Sequence, residues 1–153
     1  NTPDILPTLL DMADIAVPET VEGISMKPAI SNPDLYADKA ALVMSISPFD
    51  VKKNHEYRAI YTSRYTYIEN LDGPWMAFDN LKDPYQMTNL LDEAKNITLL
   101  KGLEDTLWME LSRINDEFKP RDHYINKWGY ELNEYGHVPY HNAMKFQGPD
   151  INK

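Results

Sequence analysis

The histidines are the side chains of this sequence that most directly suggest metal chemistry. His137 and His141 stand four positions apart, which is the spacing of two ligands on one face of a helix. Pro139 lies between them and Gly136 precedes them, which disfavours a helix, and no His-Glu-x-x-His pattern is present. The spacing therefore favours a surface loop over a metal site.

A second group of candidate ligands contains Asp79, Asn80 and Asp83, whose oxygen atoms could bind a cation. Asp83 is followed by Pro84, however, and this pair is typical of an N-cap and the first residue of a helix. The sequence has no Asp-x-Asp-x-Asp-Gly loop, no Gly-x-Ser-x-Gly nucleophile motif and no cysteine. Turn and cap roles are therefore favoured, and the residues alone predict no catalytic apparatus.

Residues 51–68 are basic within a chain whose formal net charge is −9. The charged side chains of this segment are Lys52, Lys53, Arg58 and Arg64, opposed by Glu56. Arginine on a strand can bind an anion through two parallel hydrogen bonds. The alternative, which is the commoner case, is that these cations are solvated edge-strand charges that prevent aggregation.

Apolar periodicity predicts the first helix that would position these side chains. The apolar residues at helical spacing near the start are Ile5, Leu9, Met12 and Ala16. They predict a helix over residues 2–16, with Thr2 as its N-cap and Pro3 at its first position. Residues 17–40 contain several prolines and are predicted to be irregular, with a short helical turn near residues 26–30.

Short runs rich in Tyr, Ile and Thr predict a β-meander. The predicted strands cover residues 41–47, 57–62, 65–70 and 75–79. Only Ser63 and Arg64 separate the second strand from the third, which indicates a tight hairpin although neither residue is the favoured Gly or Asn. The simplest arrangement is a small four-stranded antiparallel sheet.

Two further helices are predicted after the strands. The first begins at Asp83, with Gln86 completing a capping box, and ends near Asn89 in a left-handed cap. The second covers residues 97–118 and ends before Pro120. Its apolar stripe contains Leu100, Leu103, Leu107, Leu111, Ile114 and Phe118. This stripe needs an apolar partner, and we expect it to pack on the sheet.

Composition bounds the function. The 153 residues are 42% hydrophobic and 25% charged, which is typical of a globular domain with a core. No apolar run is long enough to predict a transmembrane helix, and so acidic a chain is a poor partner for nucleic acid or an anionic membrane. The sequence begins Asn1-Thr2-Pro3 without Met and shows no signal peptide, so we expect either a processed protein or a cut piece of a longer one.

Several motifs, in order over residues 1–118, resemble the C-terminal region of type I sulfatases of the alkaline phosphatase superfamily. Residues Asp4–Asp11 look like that family's Asp-x-x-Pro-Thr-(Leu/Ile)-Leu helix. Asp14 stands where a Gly is usual in the family. Gly23-Ile24-Ser25-Met26 resembles the Gly-x-Ser-Leu that follows.

Two more motifs complete the resemblance. Residues Arg58–Ile68 are similar to the hairpin Arg-x-Val-Arg-Thr-x-x-Tyr-Lys-Tyr-Ile, with Tyr61 and Thr66 in place of two cations. Residues Ala77–Leu90 look like Leu-Tyr-Asp…Asp-Pro-x-Glu-x-x-Asn-Leu, with Gln86 in place of the Glu. The resemblance implies an α+β subdomain in which a four-stranded antiparallel sheet packs against the long helix.

The resemblance also implies that the parent protein hydrolyses sulfate esters of sulfated glycans, with a formylglycine and a calcium ion. The formylglycine motif Cys/Ser-x-Pro-x-Arg is absent, because the nearest string, Ser31–Leu35, has Leu where Arg is required. No catalytic or metal residue is therefore transferred, and the fragment alone is expected to be inactive. The implied location is periplasmic or secreted, and the implied partners are an upstream catalytic domain and a sulfated carbohydrate.

The expected organisation is a helix and connection from the end of the catalytic domain over residues 1–40, the subdomain over 41–118 and a wrapping aromatic-rich tail over 119–153. Because such a subdomain borders the active-site cleft, its exposed side chains are candidates for substrate contact. These candidates are His55, Arg58, Arg64, Asp72 and Trp75. Trp75 could stack on a sugar face, although core packing is the commoner role of tryptophan.

Two other functions remain open from the sequence. The first is a non-catalytic carbohydrate-binding or assembly module, carried by the basic hairpin and the aromatic tail. The second is a phosphatase or phosphonate hydrolase relative, since the superfamily shares its architecture across ester types.

Overall fold

The computed structural model describes residues 1–37, 39–46 and 56–139. Its centre is a four-stranded antiparallel sheet in which each strand pairs with the next one in the chain. The strands are β1 (Ala41–Ser45), β2 (Tyr57–Tyr61), β3 (Tyr65–Asn70) and β4 (Gly73–Asp79). The helices are α1 (Ile5–Met12), α2 (Lys27–Ser31), α3 (Ile97–Arg113) and α4 (Arg121–Trp128). The predicted α+β class and β-meander are confirmed.

The hairpin between β2 and β3 is tight even though its turn has neither Gly nor Asn. Thr62 provides the turn chemistry instead, because its hydroxyl accepts hydrogen bonds from the backbone N–H of Arg64 at 3.3 Å and of Tyr65 at 2.8 Å. The Thr62 N–H in turn donates to the Tyr65 carbonyl at 2.9 Å. The Thr62 side chain thus stabilises this tight turn in the absence of the Gly or Asn that is usual there.

The core lies between α3 and one face of the sheet. Leu103, Leu107 and Leu111 recur every four residues along α3 and are buried. They pack with Ile60, Tyr67 and Ala77, which lie opposite one another on β2, β3 and β4. The expected packing of the long helix on the sheet is confirmed.

The predicted end of this helix is wrong, because α3 stops at Arg113 rather than at residue 118. Asn115 and Phe118 both have positive φ, at 54° and 46°, which an α-helix does not allow. The turn they make brings Asp116 to Arg58 on β2, and Asp116 Oδ1 also accepts from the Phe118 N–H at 2.7 Å. The helix therefore ends at Arg113, where the chain turns to form the Arg58–Asp116 ion pair, although the apolar spacing continues to Phe118.

The helix predicted to begin at Asp83 is also wrong. Asp83 forms a turn in which its carboxylate accepts from the Thr88 N–H at 2.7 Å and its carbonyl from the Gln86 N–H at 3.0 Å. Gln86 itself is left-handed, with φ 54°, and its side chain bonds to Asn80 and Thr66 instead of closing a capping box. Asn89 is extended and caps the 3₁₀ turn Leu90–Asp92.

The N-terminal prediction is confirmed for the start of the helix, but its predicted end is wrong, because α1 stops at Met12 rather than at residue 16. The chain is helical from the 3₁₀ turn Thr2–Asp4 through α1, and α2 occupies the predicted helical turn near residues 26–30. Thr2 is not the N-cap, because it lies inside the first turn. Asp14 has φ 55°, so the position where the resemblance expects glycine is one that favours glycine.

The sequence predicts an extended, aromatic-rich tail after α3, which is wrong for its first part, because residues 121–128 are helical. This segment contains α4, which ends at Gly129 in a left-handed conformation. The rings of Tyr124 and Trp128 lie 5.2 Å apart, and those of Trp128 and Tyr130 lie 5.9 Å apart. Another 3₁₀ turn spans Pro33–Tyr36 and a last one Ala94–Asn96, while the end of the predicted tail, residues 140–153, lies outside the described residues.

Candidate functional site

The sequence-predicted site residues do not form one cluster. Arg64 precedes β3 and Asp72 follows it, so the six residues of β3 separate the two by roughly 20 Å. Arg58 and Trp75 lie toward the Asp72 end of the sheet. His55, like Lys52 and Lys53, lies outside the described residues.

Arg58 is fully buried, so the expectation that it is exposed is wrong. Its Nε lies 2.6 Å from Asp116 Oδ2 and its Nη2 lies 3.1 Å from Asp116 Oδ1. Nη1 donates to the carbonyls of Ser45 and Tyr57, and the guanidinium lies 4.7 Å from the centre of the Phe118 ring. Every guanidinium nitrogen is therefore occupied, and Arg58 anchors the fold.

The electrostatics of this anchor are those of a paired buried charge. Burial alone would raise the pKa of Asp116, but the hydrogen bond and charge of Arg58 and the Phe118 N–H outweigh it, so the pKa lies below its usual value. Tyr124 donates its hydroxyl to Asp116 at 3.2 Å and accepts from Arg58 at 3.1 Å. Burial raises the pKa of this phenol.

Glu56 and Arg121 form a second buried contact beside the anchor. Glu56 Oε1 accepts a hydrogen bond from the backbone N–H of Arg121, the first residue of α4. The Arg121 guanidinium donates to the Gly136 carbonyl. Among the described residues, Glu56 Oε2 and Arg121 Nε are the buried side-chain atoms without a hydrogen-bond partner. This contact fixes α4 to the start of β2.

Arg64 is a positioned cation at the opposite end of the sheet. Asp79 holds it through two bonds, from Nε at 3.0 Å and from Nη2 at 2.7 Å, and its guanidinium lies 4.9 Å from the Tyr65 ring centre. The Arg64 contact lowers the pKa of Asp79. Arg64 lines a pocket of about 350 Å³ whose other charged side chains are of both signs, namely Lys82, Lys95, Asp79, Asp83 and Glu93. Lys95 pairs with Glu93 at 2.8 Å, and Arg64 Nη1 makes no bond to Asp79.

Neither arginine is an edge-strand charge, because Arg58 lies on the central strand β2 and Arg64 in the β2–β3 turn. The commoner interpretation of the basic segment therefore fails for these two residues. Arg58 acts inside the fold, and Arg64 is fixed by a carboxylate.

Trp75 is exposed on a β-bulge, so core packing is wrong for this residue. The pairing of β3 with β4 passes from Ile68 opposite Met76 to Glu69 opposite Pro74, which leaves Trp75 as the extra residue. Its side chain is 46% exposed. An indole at a bulge offers a flat apolar surface, which is the chemistry that stacks on the C–H face of a sugar.

Two asparagines shape the chain around Trp75. Asn89 accepts from the Ala77 N–H at 3.0 Å and donates to the Trp75 carbonyl at 3.3 Å, so its amide pairs with β4 at the bulge. Asn70 accepts from the N–H of Asp72 at 2.8 Å in the β3–β4 turn. Asp72 is exposed next to this surface.

The motif at the start of the chain is a polar latch. This latch joins Asp4, Thr8 and Asp11 to the segment around residues 24–26. Asp4 accepts from the Ile24 N–H at 2.9 Å and pairs with Lys39. Thr8 accepts from the Met26 N–H at 2.8 Å, and Ser25 donates to Asp11 at 2.5 Å. Burial would raise the pKa of Asp4, but Lys39 and the Ile24 N–H lower it below its usual value. Gly23 is required for this close approach, since a Cβ there would lie 2.0 Å from the Pro3 carbonyl oxygen.

The opposite face of α1 is apolar and exposed. Ile5, Leu9 and Met12 follow one stripe of the helix and are 54–59% exposed. Leu6 and Ile15 add to this surface and are also more than half exposed. We call this surface the α1 apolar face.

The described residues contain no group of three or more His, Cys, Asp or Glu side chains that could hold a metal ion. Asp79 and Asp83 are engaged by Arg64 and by the Thr88 N–H. His137 is described but His141 is not, so the preference for a surface loop over a metal site at this pair stays a prediction.

Sequence reasoning missed the roles of Asp116, Tyr124 and Arg121. Asp116 was assigned to a helix because Ile114 and Phe118 continue its apolar spacing. The local signal against that helix was the pair Asn115-Asp116, since both residue types favour turns.

Comparison with known proteins identifies the family. A family model described as "N-sulphoglucosamine sulphohydrolase, C-terminal" matches residues 1–113. The chain belongs to this family. The N-sulphoglucosamine sulphohydrolase C-terminal match covers the latch, the sheet and α3, and it ends where the structure turns toward Asp116.

Named relatives agree with this assignment. The chain is 47% identical over 131 residues to an ulvan-active sulfatase from Formosa agariphila, an alignment covering 85% of this chain and 26% of that protein. The solved structure of a 2-O GAG sulfatase is similar with a TM-score of 0.67 at 27% identity, covering 76% of this chain and 26% of that one.

A phosphonate monoester hydrolase from Agrobacterium radiobacter has a TM-score of 0.54 at 22% identity, covering 87% of this chain and 27% of that one. This likeness shows the shared fold alone. The chain spans about a quarter of the length of the curated relatives it matches.

Proposed function

We propose that this chain serves a parent enzyme that hydrolyses sulfate esters of a sulfated polysaccharide, as the C-terminal subdomain that borders its active-site cleft. The observation that carries this proposal is the 47% identity to an ulvan-active sulfatase across most of the chain. Ulvan, the substrate in that relative's name, is therefore the first substrate to test.

The α1 apolar face supports the presence of a catalytic partner domain. Five exposed apolar side chains on one short helix and its exit are more than an isolated surface usually presents. The occupant we propose is the catalytic domain to which the family's C-terminal domain implies this chain is joined. The polar latch holds α1 in place so that this face stays available to that domain.

The catalytic groups are assigned to that partner domain. The chain has no cysteine, Ser31 lacks the required Arg four positions later, and the described residues contain no fitting metal cluster. The described residues therefore offer no cluster that fits a calcium ion, and the sequence offers no formylglycine motif. Its own contribution is to bind and orient the polysaccharide.

Trp75, Asp72 and Arg64 are the side chains proposed to contact the polysaccharide. Trp75 stacks on a sugar ring, and Asp72 accepts hydrogen bonds from hydroxyl groups beside it. Arg64 binds a sulfate or carboxylate at the other end of the sheet, because Asp79 fixes its orientation and leaves Nη1 unused. Trp75 and Arg64, at opposite ends of the sheet, would thus contact different sugars of one polysaccharide molecule.

The proposed location of the parent enzyme is periplasmic or secreted, where large polysaccharides are accessible. No helix within the described ranges combines the length and apolar character needed to cross a membrane.

The test compares the full-length gene product with residues 1–153 alone. Each is incubated with ulvan in the presence of calcium, and released sulfate is measured by ion chromatography. We expect release by the full-length protein and none by the chain alone. Absence of release by the full-length protein from every sulfated polysaccharide tried, or turnover by the chain alone, would contradict the proposal. A parallel assay with phenylphosphonate esters detects a phosphonate hydrolase.

The contact residues are tested in the same full-length enzyme. We expect Trp75→Ala to raise KM for ulvan about fivefold with kcat unchanged, since one stacking contact is lost. Tyr85→Ala is the control, because Tyr85 is also an exposed aromatic residue but lies in a loop outside β4. Equal kinetics of the Trp75 variant and wild type would reject this contact.

A non-catalytic carbohydrate-binding module is the second candidate, favoured by the exposed indole of Trp75. It requires residues 1–153 alone to bind ulvan in a calorimetric titration. Binding by the chain alone, without sulfate release by the full-length protein, would favour this function over the first.

A further inference from the structure

A slot lies between α4 and the segment that follows it, residues 130–138. Its volume is about 550 Å³, and its main lining residues are Arg121, Asp122, Ile125, Asn126, Leu132 and Tyr135. All of them lie after residue 113, where the family match ends. The slot is therefore a feature of this chain that the family match does not describe.

The walls of the slot are fixed by hydrogen bonds. Asn133 Oδ1 accepts from the backbone N–H of Tyr135 at 3.0 Å and of His137 at 2.9 Å, and the Asn133 N–H donates to the His137 carbonyl at 2.9 Å. The buried Arg121 ties this loop to α4 through the Gly136 carbonyl. Because both walls are preformed, a ligand would not have to order them on binding.

The two walls carry different chemistry. Tyr135, which is 70% exposed, and Leu132 form an apolar wall. Asp122 and Asn126 are four residues apart on α4, so they lie on one face of the helix and form a polar wall. A ring with one C–H face and a rim of hydroxyl groups matches this arrangement, since the face packs on tyrosine and the hydroxyls bond to carboxylate and amide.

The charges of the slot argue against a sulfate as the bound group. The Asp122 carboxylate is exposed and lies 3.5 Å from Arg121 Nη1, and the buried Arg121 guanidinium also donates to the Gly136 carbonyl, so this cation already has partners on both walls. The slot thus suits a part of the polymer that carries hydroxyl groups instead of charge.

We infer that this slot is a binding site for a hydroxyl-bearing pyranose ring of a polysaccharide. The inference rests on the proposed function for taking a sulfated polysaccharide as the polymer. The slot holds the polysaccharide at a second point of attachment, which raises the affinity for long polymers by increasing the effective concentration of the polymer at the enzyme.

The test uses affinity electrophoresis of the full-length protein in gels that contain ulvan or chemically desulfated ulvan. We expect both polymers to retard the wild type, and Tyr135→Ala and Asn126→Ala each to weaken the apparent affinity about fivefold. Tyr85→Ala is the matched control, because Tyr85 is highly exposed in a different loop. Equal retardation of the wild type and both slot variants would overturn the inference.

Kinetics separate this inference from the proposed function. Tyr135→Ala should raise KM for ulvan with kcat unchanged and should leave hydrolysis of 4-nitrophenyl sulfate unaffected, because that small ester has no pyranose ring to occupy the slot. If the wild type releases no sulfate but Tyr135→Ala weakens retardation, the proposed function fails and the slot remains a polysaccharide site. If the wild type releases sulfate and Tyr135→Ala equals it both in KM for ulvan and in retardation by ulvan, the slot is rejected and the proposed function stands.

Discussion

α1 and α3 carry similar apolar stripes, yet only one of the stripes is buried. Leu103, Leu107 and Leu111 of α3 are almost inaccessible, whereas Ile5, Leu9 and Met12 of α1 are more than half exposed. Periodicity identifies which face of a helix is apolar, but it does not locate the surface that covers that face. The partner of α3 is in this sequence, and the partner we propose for α1 is in another domain.

The polar faces of the two helices also differ. On α1 the side chains of Asp4, Thr8 and Asp11 bond to the segment around residues 24–26. On α3 the solvent-facing side chains mainly pair with one another, as Lys101 does with Glu104 and Asp105. The polar side of α1 is therefore its attachment to this chain, which is the reverse of the usual arrangement.

The largest expected effect concerns the ion pair that follows α3. Asp116→Ala leaves the Arg58 charge buried without its carboxylate, which should lower the free energy of unfolding by about 3–5 kcal/mol. Because the folded-state pKa of Asp116 is lowered, its contribution is present at neutral pH and is lost as pH falls through that pKa. Urea unfolding at pH 7 measures the loss, with Glu19→Ala as an exposed control. A loss below about 1 kcal/mol would contradict the anchor.

The direct test of the comparison pairs Leu107→Ala with Leu9→Ala. In residues 1–153 alone, Leu107→Ala should lower the free energy of unfolding by about 3 kcal/mol, because a fully buried side chain is lost. Leu9→Ala should change it by less than about 1 kcal/mol in the same chain. In the full-length enzyme we expect the Leu9 variant to cost about 2–3 kcal/mol. If Leu9→Ala is harmless there too, the α1 apolar face is not an interface between domains.

Two glycines should respond with opposite signs. Gly23→Ala forces a Cβ against the Pro3 carbonyl and should lower the free energy of unfolding by about 1–3 kcal/mol. Gly102→Ala places a methyl group on α3 where no atom lies within 4 Å, and should raise it by about 0.5–1 kcal/mol. Thermal unfolding of both variants gives the comparison. Stabilisation by Gly23→Ala would show that the latch is looser than described.

The smallest effect concerns Glu69, a buried carboxylate on the sheet face below α3. Burial and the neighbouring Glu104 raise its pKa, while hydrogen bonds from Tyr67 and Trp108 and the charge of Lys101 oppose the rise. Its charge is therefore a penalty at neutral pH that is relieved as pH falls through the raised pKa.

Glu69→Gln should therefore stabilise the chain at pH 7 by about 1 kcal/mol. The advantage should shrink as pH falls through the raised folded-state pKa, because the folded wild-type carboxyl is then protonated and uncharged. Urea titrations at several pH values follow this difference. A variant that is destabilised equally at all pH values would show that Glu69 is needed as a charge.

The sequence was sufficient for most of the sheet and for α3 because these elements depend on local pattern. It failed at Asp83 and after Arg113, where side chains distant in sequence decide the backbone. At Asp83 the outcome depends on Thr88 and on the reach of Gln86 to Thr66. After Arg113 it depends on Arg58, which lies on another strand.

The candidate site was harder to predict than the fold, since exposure depends on tertiary contacts. Arg58 and Trp75 have the opposite burial to that favoured from their residue types. The bulge that exposes Trp75 follows from Asn89, whose position after a loop gave no indication of its pairing with β4. The proposed slot depends in the same way on Asn133, a loop residue within a segment of little periodicity.

The ion pair between Arg58 and Asp116 also has a consequence for the order of folding. Its partners are 58 positions apart and Tyr124 follows later still, so the complete contact forms only after the segment that follows α3 has been synthesised. During synthesis the sheet and α3 can therefore assemble before the guanidinium is neutralised. We expect the pair to be absent from the folding transition state, so that Asp116→Ala mainly accelerates unfolding; a slower refolding rate in stopped-flow experiments would place the pair in the nucleus instead.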